Sequence, residues 1–145
     1  MPLIFSKLCQ YALRAILLMA TYPPETCVNI RDMAGELQIP YHMLAKLCQD
    51  LVKRGLLLST KGPGGGFALA QPPENIRLID VVDAVDGVGI TKQCALGLPN
   101  CSDDDPCSLH GEWGPIRESI VTMLNEKSVQ DFAADLMDEE KAVRL

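Results

Sequence analysis

The stretch YHMLAKLCQDLVKRG (residues 41–55), followed directly by LLLSTKGPGGGFALA (residues 56–70), decides the fold of this 145-residue chain. In its first part, apolar residues recur at spacings of three and four, which predicts a helix whose buried face carries Leu44, Leu47, Cys48 and Leu51. Gly55 supplies a residue at which such a helix can end. In its second part, residues 56–60 and 67–70 are strand-like and flank a glycine-rich turn, which predicts a β-hairpin.

The residues upstream predict a helix-turn-helix. Residues 5–21 read as a helix that is apolar around much of its circumference, and such a helix is usually buried on both sides. Residues 30–37 read as a second helix with Asn29 as its N-cap, and a tight turn at residues 38–40 leads into the helix at Tyr41. The predicted fold is therefore mainly α with a small β-hairpin wing, that is, a winged helix-turn-helix.

The rest of the chain predicts three more helices. Residues 78–86 read as a short helix, and Pro115 suits the first position of a helix that runs to about Asn125. Ser128 and Asp131 form a capping-box pattern for a last short helix. We divide the chain into a winged-helix domain (1–87), a cysteine-rich loop (88–110) and a helical region with an acidic tail (111–145).

The charge is unevenly distributed between the two halves. The net charge is −6, but residues 1–78 hold eight Lys/Arg and five Asp/Glu, whereas residues 79–145 hold five and fourteen. The N-terminal half can therefore approach phosphates. No run approaches the ~20 apolar residues that cross a bilayer, and no secretory signal is recognisable. We expect a cytoplasmic protein without a membrane partner.

The outer face of the second helix of the pair is polar, weakly basic and suited to the major groove of double-stranded DNA. An ordinary solvated face would look similar on the helix alone, but the wing offers a second contact. The candidate DNA-binding residues on the helix and at the wing tip are Tyr41, His42, Ala45, Lys46, Gln49, Lys53, Lys61 and Gly62. The glycine run is not a nucleotide-binding loop, because it lacks the Gly-Lys-Ser/Thr ending and precedes a strand.

Residues 94–110, CALGLPNCSDDDPCSLH, hold the candidate metal ligands: Cys94, Cys101, Cys107 and His110, called the cysteine site below. Three thiolates and an imidazole can hold a [2Fe–2S] or [4Fe–4S] cluster, or a zinc ion. Six residues separate Cys94 from Cys101 and five separate Cys101 from Cys107, unlike the usual zinc knuckles, so zinc is the less favoured metal. Redox-active thiols are a further alternative. We also expect Asp105 to cap a helical turn that starts at Pro106.

The other cysteines are interpreted as packing residues: Cys9, Cys27 and Cys48. An enzyme with Cys107 as nucleophile and His110 as base is the alternative from a different class. No orienting acid or oxyanion element accompanies that pair, so we do not expect an enzyme. A small electron carrier would leave the DNA-reading helix and wing without a role.

Three motifs together resemble the bacterial IscR/NsrR/CymR family of regulators: YALR at residues 11–14, KGPGGGFALA at 61–70 and DVVDAVDG at 80–87, followed by the spaced cysteines. The resemblance covers nearly the whole chain. It implies a homodimeric winged-helix transcription factor, usually a repressor, with a long C-terminal dimerisation helix. It also implies an iron–sulfur cluster on Cys94, Cys101 and Cys107 that senses iron, nitric oxide or redox state.

The resemblance implies His110 as the fourth ligand, in the manner of the IscR-like branch. The NsrR-like branch uses an acid of the partner subunit at the position that Gln10 occupies here, and Gln is a poor iron ligand. Lys61 stands where relatives often carry Arg, so the operator preference is expected to differ. The implied mechanism is a loop that the cluster orders, which changes the spacing of the two recognition helices.

Overall fold

The computed structural model describes residues 4–145 and is mainly helical. Within these residues there are six helices and one two-stranded antiparallel sheet. The elements follow in the order α1 (Lys7–Met19), α2 (Ile30–Leu37), α3 (Tyr41–Lys53), β1 (Leu57–Thr60), β2 (Gly66–Leu69), α4 (Leu78–Val85), α5 (His110–Glu126) and α6 (Val129–Met137). Short 3₁₀ turns lie at Pro73–Asn75 and Val88–Thr91. The first three residues of the predicted domain 1–87 lie outside the described residues.

Helices α1 to α3 form the centre of the core, and the predicted helix-turn-helix is confirmed. Helix α1 is fully buried along one face, at Cys9, Ala12, Ala15 and Ile16. Leu8 is 45% exposed and Leu13 and Leu17 are half-buried, so the expected burial on both sides is incomplete. Asn29 caps α2, because its side chain accepts hydrogen bonds from the amides of Arg31 and Asp32. The turn to α3 passes through Gln38 in the left-handed conformation, and the Arg14 guanidinium donates to the Leu37 carbonyl at 2.5 Å. This bond fixes the end of α2 against α1.

The hairpin follows α3 directly, as the sequence predicts, with Leu57 opposite Leu69 and Thr60 opposite Gly66. Val28 adds one antiparallel bridge to Phe67, which joins the wing to the segment before α2. A Cβ atom at Gly66 would lie 2.3 Å from the Val28 carbonyl oxygen, so this glycine permits that bridge. Gly66 therefore allows the backbone of the wing to lie close to another segment of the same chain, at Val28.

Helix α4 begins at Leu78 and ends one residue before the predicted end. Asp86, just after it, accepts hydrogen bonds from the amide and hydroxyl of Ser6, which is the N-cap of α1. The start of α1 is therefore tied to the point where the chain leaves α4 and enters the cysteine-rich loop.

The start of α5 differs from the prediction. The helix begins at His110, with Pro115 inside it, and Asp105 does not cap a helical turn. Residues 105–107 lie in irregular backbone, and a turn closed by the His110 amide and the Cys107 carbonyl leads into the helix. Pro115 is the sixth residue of the helix, beyond its first turn, so its missing N–H costs one intrahelical hydrogen bond.

Helix α6 completes the core. Ser128 and Asp131 form the predicted capping box, and Val129 and Ala133 are fully buried. After α6, the chain has no helix or strand from Asp138 onward. Within residues 4–145, none of the helices combines the length and apolar character needed to cross a membrane.

Candidate metal centre and DNA-binding surface

The structure brings the three predicted cysteine ligands together. Their sulfur atoms all lie within 4.8 Å of one another, and Cys94 Sγ lies 3.6 Å from Cys107 Sγ. All three lie in the loop between Lys92 and Leu109. The Cys107 amide donates a hydrogen bond of 3.4 Å to Cys101 Sγ, which holds these two cysteines together. Each cysteine is half-buried. Three soft donors therefore converge on one point near the surface.

The imidazole of His110 lies beside Cys101 but outside the group of three sulfur atoms that lie within 4.8 Å of one another. His110 is the first residue of α5, and its Nδ1 atom lies 3.3 Å from Cys101 Sγ. Its Nε2 atom lies 2.8 Å from Asp103 Oδ1. A histidine that binds metal through one ring nitrogen commonly donates its other N–H to a carboxylate, which fixes the ring. Asp103 thus occupies the position of an orienting acid, which the sequence pattern alone did not reveal.

Backbone amides favour the thiolate at one end of the site. The pKa of Cys94 is lowered to about 7, chiefly because the Leu98 amide donates to its sulfur, with the Leu96 amide adding to the effect. At Cys101 the Cys107 amide also favours the thiolate, but partial burial and the neighbouring cysteines outweigh it and raise the pKa. A positive ion bound here would relieve the repulsion between the thiolates.

Two side chains of α5 hold the residue that precedes Cys94. The indole Nε1 of Trp113 donates to the Gln93 carbonyl at 2.8 Å, and the Arg117 guanidinium donates to the same oxygen at 3.2 Å. Sequence reasoning missed both contacts. The available signal was the chain's single tryptophan, placed three residues after His110.

The donor set fits both groups that the sequence left open. Thiolates and imidazole are soft or intermediate ligands that bind iron–sulfur clusters or zinc. Cys94, Cys101 and Cys107 each keep part of their surface exposed, so the site is accessible from solvent. Gln10, at the position where the NsrR-like branch carries an acid, is exposed on α1 and donates from its side chain to the Phe5 carbonyl at 3.4 Å.

Two of the remaining cysteines are packing residues. Cys9 and Cys48 have no exposed surface, and burial raises the pKa of each thiol to about 12, with the Asp86 carboxylate adding to the effect at Cys9. Cys27 is half-buried. None of these three belongs to the group of sulfur atoms formed by Cys94, Cys101 and Cys107.

The helix α3 divides into the two predicted faces. The apolar face is buried in full, at Leu44, Leu47, Cys48 and Leu51. The predicted DNA-binding residues on the opposite face are exposed, except that Ala45 is half-buried: Tyr41, His42, Lys46, Gln49 and Lys53. Lys61 and Gly62 are exposed at the wing tip. These side chains are free to meet a ligand without rearrangement of the core.

A further basic residue borders the start of α3. The Arg31 guanidinium of α2 lies over the ring of Tyr41, 5.3 Å from its centroid, and the ring of His42 lies edge-on to that of Tyr41. Arg31 is exposed and stacked, which fixes the direction of its charge. It is a candidate phosphate contact that the sequence analysis did not include.

The comparisons with known proteins find transcriptional regulators. The family model Rrf2, described as an iron-dependent transcriptional regulator, matches residues 5–135. The HTH-type transcriptional regulator IscR of Xenorhabdus nematophila is 30% identical over 140 residues, covering 91% of this chain and 85% of that protein. These relatives are transcriptional regulators and not enzymes.

Solved structures support the fold. The global cysteine regulator CymR of B. subtilis superposes with a TM-score of 0.75 at 22% identity, covering 92% of this chain and 98% of that one. IscR of T. potens gives a TM-score of 0.74 at 23% identity, covering 97% and 92%. These structures show the winged-helix fold. The Rrf2 family model matches most of the length of this chain, so the chain belongs to the Rrf2 family of transcriptional regulators.

Proposed function

We propose that this chain is a homodimeric, cytoplasmic repressor whose binding to an operator is controlled by an iron–sulfur cluster at the cysteine site. The observation that carries the proposal is the convergence of three sulfur atoms within 4.8 Å of one another, with His110 Nδ1 3.3 Å from Cys101 Sγ. The description of the matching family model as an iron-dependent transcriptional regulator supports a role for iron at this site. Iron status, nitric oxide and redox state are the candidate signals.

The exposed face of α3 would read DNA bases, and the wing would contact phosphate. Lys46 and Gln49 lie one turn apart on that face, and Gln can bond an adenine edge while Lys contacts guanine or phosphate. Arg31 and Lys61 flank the face from α2 and from the wing tip. Contacts to phosphate position the protein, whereas the base contacts specify the operator.

A second copy of the chain would cover the outer face of α5. Leu109, Ile116 and Met123 follow one another at intervals of seven residues and are 44%, 54% and 46% exposed. A seven-residue apolar repeat on a helix surface is typical of helix pairing. Leu124, on the adjacent face, is fully buried within its own chain, so α5 has one apolar face inside and one available to a partner.

The dimer contact can be tested by sedimentation. Ile116→Asp places a charge in the stripe and should convert a dimer to a monomer, whereas Thr122→Asp, at an exposed position outside the stripe, should leave the dimer intact. A wild-type chain that sediments as a monomer at micromolar concentration would contradict the homodimer.

Control of DNA binding would act through α5, because the proposed ligand His110 is also the first residue of this helix. When bound, the cluster would supply a fixed anchor for four side chains of the loop and of the helix. The loop's ligands would then hold the start of α5, and the dimer helix would hold the two copies of α3 at a defined separation. The spacing of DNA half-sites mirrors that separation.

A zinc regulator is the second candidate, and the geometry gives one observation in its favour. Thiolates around one tetrahedral zinc ion with bonds of about 2.3 Å lie about 3.8 Å apart. Cys94 and Cys107 are 3.6 Å apart, close to that value. Two cysteines on one iron atom of a cluster would have a similar separation, so it is the closeness of all three sulfur atoms, within 4.8 Å of one another, that suits a single ion. Redox-active thiols, the remaining alternative, require no metal at all.

Operator binding with and without cluster tests the proposed function. Genomic fragments that bind the chain are selected first, and shift assays then compare anaerobically reconstituted protein with metal-free protein. A difference of tenfold or more in affinity is expected, corresponding to a coupling of about 1.4 kcal/mol. Equal affinity of both forms, or of wild type and Cys107→Ala, would overturn the control by the cluster.

A further inference from the structure

The Gln93 carbonyl receives two hydrogen bonds from a single helix. Trp113 and Arg117 lie one turn apart on α5, and their donors approach this oxygen to 2.8 and 3.2 Å. A carbonyl oxygen has two lone pairs, so both bonds can form together. Gln93 is exposed and belongs to the loop, whereas Trp113 and Arg117 are half-buried on the helix. The helix therefore holds the loop at the backbone, independently of the Gln93 side chain.

We propose that Trp113 and Arg117 are positioning residues that clamp the Cys94 end of the loop to α5 and pass the state of the cysteine site to the dimer helix. The Gln93 carbonyl carbon is bonded to the Cys94 amide nitrogen, so the two hydrogen bonds fix the peptide plane that enters Cys94. This inference rests on the proposed function. We call this pair of contacts the Gln93 clamp.

The other end of the loop is joined to the same helix. The Cys107 carbonyl accepts from the His110 amide at 3.1 Å, and His110 begins α5. Both ends of the loop from Cys94 to Cys107 are thus attached to α5. The Cys107 end meets the first residue of the helix, and the Cys94 end meets Trp113 and Arg117. A change in the separation of Cys94 and Cys107 must therefore move α5, or break the clamp.

The clamp borders the surface that a second chain would cover. Trp113 lies four residues after Leu109 and three before Ile116, so on a helix its side chain neighbours both. A shift of Trp113 changes the packing surface of the stripe directly. The position of the clamp therefore connects the cysteine site to the separation of the two chains.

Amide exchange in metal-free protein tests the clamp without depending on a cluster. Trp113→Phe keeps a ring but loses the donor, and Arg117→Leu keeps much of the aliphatic stem without charge. Each should speed exchange of the amides at 94–98 about fivefold, as for the loss of one hydrogen bond, while exchange in α4 stays unchanged. Gln93→Ala is the matched control: it removes the side chain but keeps the carbonyl, and should exchange like wild type.

Operator binding then tests transmission. The ratio of operator dissociation constants between metal-free and cluster-loaded protein should fall several-fold toward one in Arg117→Leu and stay unchanged in Gln93→Ala. Arg117→Lys, which keeps a donor, should retain more of the ratio than Arg117→Leu.

If both Trp113→Phe and Arg117→Leu showed wild-type amide exchange rates and wild-type ratios of operator dissociation constants, the clamp would be overturned while the proposed function stayed intact. A wild type that never loads a cluster would overturn the proposed function, and the exchange result would still decide whether the clamp holds Cys94.

Discussion

The Nε2 atom of His110 lies 2.8 Å from Oδ1 of Asp103, a residue whose side chain is otherwise fully exposed. The opposite ring nitrogen points to the sulfur of Cys101. A hydrogen bond to an exposed carboxylate such as Asp103 adds little to the stability of the fold. We expect Asp103 to matter when His110 binds a metal, because the carboxylate accepts from Nε2 and leaves Nδ1 unprotonated to bind the metal.

Asp103→Ala should weaken metal binding at the cysteine site by about tenfold, the lower range for loss of a partner of a ligating histidine. Chelator competition with zinc as the probe measures this change. Asp104→Ala removes the same charge from the next residue, which forms none of the described side-chain hydrogen bonds, and should bind as wild type does. Equal losses in the two variants would show that charge, and not the hydrogen bond to His110, is responsible.

Lys46→Ala and Lys61→Ala should each weaken operator binding and lower the dependence of log K on log salt by about one, because each removes one cation from the DNA interface. Titrations at several salt concentrations give this slope. Lys141→Ala is the matched control, since Lys141 follows α6 and pairs with Asp135. An unchanged slope for both Lys46→Ala and Lys61→Ala would place the DNA elsewhere.

Leu44→Ala should lower the free energy of unfolding by about 3 kcal/mol, since a fully buried leucine leaves a cavity. Leu44 has no exposed surface, whereas the adjacent Met43 is 39% exposed. Met43→Ala should cost less than about 1 kcal/mol. Denaturant unfolding of both variants measures the difference. Similar losses would mean that α3 is rotated relative to the core.

Alkaline pH should destabilise the fold through Cys48. Burial raises its thiol pKa from 9.0 to about 12, so the folded chain keeps a proton that the unfolded chain loses. The stability from this group is complete below pH 9 and declines as pH rises from 9 to about 12. Unfolding curves across this range should show a shallower decline for Cys48→Ala than for wild type. An identical decline would show that Cys48 ionises normally in the folded chain.

Local sequence patterns predicted the winged helix because each element depends on neighbouring residues. The apolar spacing of α3, the Asn29 cap and the Ser128 capping box all operate within one or two helical turns. Pro115 was misleading for the same reason: proline favours the first turn, but the turn at Cys107 starts the helix earlier.

The candidate ligands were also predictable, since cysteine and histidine in a flexible loop suggest a shared metal. The contacts that position them were not. Trp113 meets Gln93 across twenty residues, and Asp103 meets His110 across a loop whose backbone path has no periodic pattern. Such contacts depend on how the loop returns to α5, which only the folded chain specifies.

The most direct measurement is the content of iron, acid-labile sulfide and zinc in anaerobically purified wild type and in Cys101→Ala. The proposed function predicts iron and sulfide in near-equal amounts in the wild type, with loss of both in the variant. Cys27→Ala, at a cysteine outside the site, should retain them. Stoichiometric zinc without sulfide in the wild type, or no metal after reconstitution, would contradict the iron–sulfur regulator.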